Sequence, residues 1–175
     1  MFAGYGRPET EPWIRAGVGR RMIKRKIGEE PRIPRKEPEW MPLEQVAEVE
    51  ISSEDPSHPI ENALMENGAG WRAADAGEQT IRLLFPQPKS VKRIRLAIEE
   101  SGRARTQEFV LRAATPGGLW RDIARQQFNF SPSGATREEE EYRVDLAAVA
   151  ALELRIVPEI GGGEARASLR ELRVG

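Results

Sequence analysis

The sequence predicts an all-β protein: an eight-stranded antiparallel jelly-roll β-sandwich preceded by an extended or helical N-terminal arm. Three observations carry this expectation. From residue 46 onward apolar and polar residues alternate with a period of two, which gives a strand one dry and one wet face. Words rich in Gly, Pro and Ser separate the alternating runs. The runs recur at roughly 10 to 15 residues, too closely for the helical crossovers that join parallel strands.

Residues 1–45 form the arm, and residues 46–175 the sandwich. The arm holds 6 of the 13 prolines, and its 10 basic residues outnumber its 7 acidic ones. In "EEPRIPRKEPEWMPL" each residue before a proline is pushed away from helix, so an extended, polyproline-like path is expected. Upstream, Ile14, Val18 and Met22 recur at helical spacing, although Gly17 and Gly19 each weaken such a helix by about 1 kcal/mol. The arm therefore reads as a segment that packs back on the domain or docks on a protein partner.

The strands follow in order at 46–51, 79–85, 91–98, 107–114, 119–126, 140–146, 151–157 and 167–174. "TIRLLF" turns Ile81, Leu83 and Phe85 inward, and "KRIRLAIEE" does the same with Ile94, Leu96 and Ile98. "EFVLRAA" contributes Phe109, Leu111 and Ala113, "EYRVDLAAV" Tyr142, Val144 and Leu146, and "LELRIV" Leu152, Leu154 and Ile156. "FPQPKS", "EESGRA", "ATPGG", "SPSGAT" and "IGGGEA" are read as turns. No internal repeat appears, so a propeller or solenoid is not expected.

Composition narrows the function. With 27 basic and 28 acidic residues there is no excess charge for a polyanion, so no nucleic-acid partner is expected. No run approaches the ~18 apolar residues of a membrane span, and the first residues lack the basic-then-apolar pattern of a secretory signal. Cysteine is absent, removing disulfides and thiolate chemistry. These features together give the expectation of a cytoplasmic, bacterial-type protein. His58 is the one histidine, so any Ser-His-Asp arrangement must use it, and multi-histidine metal sites are excluded. The expectation is that the protein is not an enzyme and carries no cofactor.

Several words occur in the order found in the discoidin, or coagulation factor 5/8 type C, group of galactose-binding-like domains. They are "VEISSEDPSHPIENAL", "GAGWRA", "EQTIRLLFPQPKSVKRIRLAI", "EFVLRAATPGGLWRDIA" and "LELRIVPEI" with "ASLRELRV". The chain resembles that group over about residues 46–174, with the arm outside the likeness. The resemblance implies an eight-stranded sandwich and binding in place of catalysis, with the ligand at loops on one end. Many members of the group hold a structural calcium at an Asp-Gly-Asp/Asn turn after the Ala-Leu word. Here that place reads Met65-Glu66-Asn67-Gly68. A thioether offers a hard cation nothing, so Glu66, Asn67 and Glu171 are the only weak candidates and no calcium is expected.

The expected function is a non-catalytic binding module, most plausibly for carbohydrate or another small polar ligand. The alternative is a protein-interaction or scaffold subunit of a cytoplasmic assembly, docking through residues 1–45. Expected ligand contacts are His58, Asn67, Arg72, Arg103, Arg105, Asn129 and Phe130. Imidazole and carboxamide groups both donate and accept, as sugar hydroxyls require. Arg103 and Arg105 follow the "EESG" turn and suit an oxyanion, while Phe130 in "FNF" offers a stacking face. Trp71 and Trp120 could offer stacking faces to a pyranose, but each adjoins a strand and matches a word that packs in the core of the group the chain resembles, so the resemblance implies core positions for both. Glu138 to Glu141 are expected as a solvated strand start, with no environment that raises a carboxyl pKa.

Overall fold

A computed structural model describes residues 39–175. The helical run at 14–27 and the docking role assigned to the arm lie outside the described residues. The chain forms α1 (Leu43–Val46), β1 (Glu48–Ile51), α2 (Glu61–Leu64), β2 (Trp71–Ala76) and β3 (Gln79–Glu99). It continues through β4 (Arg105–Ala114), β5 (Trp120–Phe130), β6 (Arg137–Val157), β7 (Arg166–Leu169) and β8 (Glu171–Val174). All the pairings are antiparallel, in a β-sandwich.

β3 and β6, each 21 residues long, run through both layers. The first half of β3 pairs with β1 and the second half of β6, to which β4 and then β5 are added. The second half of β3 pairs with the first half of β6 and with β8. "FPQPKS" was expected to be a turn between two strands, yet it remains within β3. Its prolines cannot donate to a ladder, and the register slips where they sit. Between Leu84↔Ala151 and Lys89↔Val149, β3 advances five residues while β6 advances two. Further shifts follow at Val91 and Arg93. The bulged stretch bends the ladder from one layer into the other. The expected strands at 140–146 and 151–157 merge in the same way.

Eight strands lie among the described residues, but their membership differs from the expectation. β2, "WRAADA", was missed because Ala and Asp have low strand propensity; it pairs with β7. The last expected strand divides at Arg170, whose N–H donates to Ala97 O, giving β7 and β8. Residues 39–45, placed with the arm by composition, are joined to the sandwich. Met41 N–H donates to Val174 O at 2.7 Å, Arg93 lies 3.6 Å from the Trp40 ring centroid, and Leu43 is buried.

The alternating residues expected inward on β3, β4 and the second half of β6 are buried. Tyr142, Val144 and Leu146 are only half-buried. The corner 60–73 is closed by packing, since Ile60, Ala63, Leu64 and Trp71 all join the core. A Cβ at Gly68 would stand 1.9 Å from Asn62 O, so this close approach demands glycine.

Two expectations about polar surfaces are corrected. Trp120 is 39% exposed, on the outer face of the sheet, with its ring against the guanidiniums of Arg112 (4.8 Å) and Arg82 (5.7 Å). These two arginines grip the buried Glu153 across three strands. Burial acts to raise the Glu153 pKa, but the hydrogen bonds from Arg82 and Arg112 hold it below the usual carboxylate value. The platform of charge explains why an aromatic ring lies outside the core at this position.

The glutamate run is only partly solvated. Glu139 and Glu141 are exposed, but Glu138 is 1% exposed, with no cation paired to it among the described residues and only Gln107 and Gln126 acting to favour its charged form. Burial, aided by nearby Glu140, raises its pKa from 4.5 to about 7. The neutral form therefore favours folding below pH 4.5, and that contribution is lost as pH rises through 7. Glu138→Gln should melt higher than wild type at pH 8, by on the order of 3 kcal/mol of unfolding free energy, and match it near pH 4. Denaturant titrations at the two pH values measure this, and equal differences at both would show that the carboxyl does not titrate.

Candidate functional site

Two adjoining clefts open where four segments meet, and both are lined by Arg72 and Ser101. The first, of about 200 Å³, lies among His58, the start of β2, Glu99 at the end of β3, and Ser168 to Arg170. The second, of about 420 Å³, is bounded by the β3–β4 hairpin and residues 164–166. Together they form one polar groove.

Backbone geometry fixes its walls. Asp55 N–H donates to Arg72 O and Arg72 N–H to His58 O, tying the His58 turn to the start of β2. The Ser57 backbone N–H donates to the Asp55 carboxylate at 2.9 Å and lowers its pKa. His58 Nδ1 lies 3.6 Å from that carboxylate, beyond hydrogen-bond length. On the opposite side, Glu100 accepts the Gly102 N–H at 2.7 Å and orders the hairpin tip. Arg170 Nε lies 3.5 Å from Glu99, and the Ser168 hydroxyl donates to Glu99 O.

Arg105 forms the floor. Its side chain is 2% exposed, with Nη1 3.1 Å from Glu100 Oε2 and 3.1 Å from Arg166 O. Nε and Nη2 have no partner. Burial pulls its pKa below the ordinary arginine value, with Glu100 opposing that shift. Arg103, half-exposed, pairs with Glu159 at the rim.

Of the seven expected ligand residues, the groove gathers His58, Arg72, Arg103 and Arg105. Phe130 is corrected as a stacking platform: it is 2% exposed and packs under Arg105 (5.8 Å) beside Phe128 (4.8 Å). Its alternation along β5 turns it inward, which makes it a support for the floor. Asn129, on the other face of β5, accepts a hydrogen bond from Thr106 Oγ1 and does not line the groove. Asn67 lies in a separate cleft of about 600 Å³ together with Glu66 and Glu171. That cleft also holds Arg95 and Arg173, and Glu171 gives its carboxylate to Arg173 at 2.9 Å. Two guanidiniums and an engaged carboxylate do not fit a calcium ion. Sequence reading missed Arg166, Ser168 and Arg170 as groove residues. Their signal was the alternation in "EARASLREL", where polar residues interleave with buried Ala165, Ala167 and Leu169.

Removing Arg105 leaves Glu100 without its buried partner. Arg105→Ala should therefore destabilise the fold by about 3 kcal/mol, whereas Arg103→Ala should cost less than about 1 kcal/mol because its pair is solvated. Thermal melts of the two variants check this order.

The XRCC1 N terminal domain family model matches residues 41–152. No curated protein sequence matches the chain. Among solved structures, the family 32 carbohydrate-binding module of Clostridium perfringens NanJ, in complex with galactose, is similar at 17% identity. That match covers 77% of this chain and 96% of the module, with a TM-score of 0.59. A second Clostridium perfringens module, from a family 31 glycoside hydrolase, has 15% identity, coverage of 77% and 93%, and a TM-score of 0.58. A pectin-binding carbohydrate-binding module has 17% identity, coverage of 75% and 91%, and a TM-score of 0.55. At these identities the likeness establishes the sandwich fold.

Proposed function

The chain belongs to the XRCC1 N-terminal domain family, and from that premise we propose a non-catalytic binding module whose groove takes a carbohydrate. The observation that carries this reading is the convergence of His58, Arg72, Ser101 and Arg103 on one open, polar groove over the buried Arg105. Such a set offers donors and acceptors for neighbouring hydroxyls, with shape supplied by the strand ends. The neighbours described as binding galactose or pectin share the fold and support the class of ligand. Recognition of this kind uses a few hydrogen bonds in an open site, so affinity per site is low.

The full chain on a glycan array should show saccharide binding, with Arg72→Ala reducing affinity by about tenfold, equivalent to about 1.4 kcal/mol. An array blank at high protein concentration would overturn the carbohydrate reading.

A second reading, docking on a protein, is favoured by Leu119 and Trp120, which are 78% and 39% exposed at the β4–β5 turn. Family membership is compatible with either reading. Under the second, Leu119→Ser would weaken a partner complex without changing the groove.

A further inference from the structure

We infer that the groove binds an acidic saccharide, with a uronate carboxylate seated over Arg105 and between Arg72 and Arg166. This deepens the carbohydrate reading and rests on it. Four guanidiniums, those of Arg72, Arg103, Arg105 and Arg166, line the larger cleft, against the carboxylates of Glu100 and Glu164. Arg103 is taken by Glu159, and Arg105 shares one nitrogen with Glu100. Neither Arg72 nor Arg166 makes a side-chain hydrogen bond or ion pair among the described residues. Two cations without a side-chain partner among the described residues therefore flank a buried one that still has Nε and Nη2 without acceptors.

Buried donors without acceptors are costly, and a fork of guanidinium nitrogens matches a planar carboxylate. An anion entering between Arg72 and Arg166 meets the positive field of Arg105 through a poorly solvated floor, where charge is weakly screened. The same walls hold Glu99, Glu100 and Glu164. These carboxylates accept hydrogen bonds from sugar hydroxyls and penalise a dianion more than a monoanion. The balance favours a singly charged carboxylate bearing hydroxyls over a phosphate. The adjoining cleft, with His58 and Ser101, leaves room for a further sugar unit.

The test uses the full chain in calorimetric titrations with a galacturonate trisaccharide, its methyl ester, and inorganic phosphate at low salt. The acid should bind at least about tenfold more tightly than the ester, and that preference should vanish in Arg72→Ala and Arg166→Ala. Arg72→Gln provides a second variant should either truncation lower the melting temperature. Equal binding of acid and ester would overturn the uronate assignment while leaving the carbohydrate reading intact. Binding of phosphate but of neither sugar would overturn the uronate assignment in favour of a free anion. Failure of all three, together with a blank glycan array, would remove both readings.

Discussion

The pairing of β3 with β6 is the constraint on which the remaining structure depends. One ladder, running from Gln79↔Ile156 to Glu99↔Arg137, serves two layers because its bulged middle bends it. β1 and β8 attach to β3, while β4 attaches to β6 and carries β5 with it. The groove inherits its position from one end of this ladder. Glu99 ends β3 at the cleft, and the hairpin leaving it supplies Glu100, Ser101, Arg103 and Arg105.

Three buried charges are accommodated in three ways. Glu153 is gripped by two arginines on the outer face, so its ionised form is preferred. Glu138 has no such partner, and its pKa rises until the neutral carboxyl is populated near neutrality. Arg105 cannot neutralise, since its pKa starts too high, and it has only part of the hydrogen bonding its guanidinium requires. The first arrangement is structural, and the second makes stability depend on pH. The third leaves a cation with two buried donors, Nε and Nη2, that meet no acceptor among the described residues.

The fold was legible where period two was strong. Ile81, Leu83, Ile94, Leu96, Phe109 and Leu154 are buried as their alternation requires. It was less legible where one residue type has two uses. Pro86 and Pro88 read as a turn, but bulges let an extended strand carry prolines that need donate nothing. Trp120 read as core because its word resembles one that packs in the core of related sandwiches; two guanidiniums on neighbouring strands give it an outer seat. Part of the groove was visible in His58, Arg72 and the Arg103 and Arg105 pair beside a turn. The contribution of Arg166 depends on β7 lying against β2, a long-range pairing that no local pattern encodes.

The bend in β3 and β6 also has a bearing on how the chain reaches this state. The partners Glu99 and Arg137 are 38 residues apart, and Gln79 and Ile156 are 77 apart, with the β4–β5 hairpin enclosed between them. Loop-closure entropy grows only logarithmically, so extending the ladder across that doubling costs about 0.6 kcal/mol beyond its first closure. The first contact therefore carries most of the closure entropy, and each further pair along the ladder adds little to it. The register shifts between Leu84 and Arg93 thus divide one strand pair into a half closed over shorter chain separations and a half closed over longer ones.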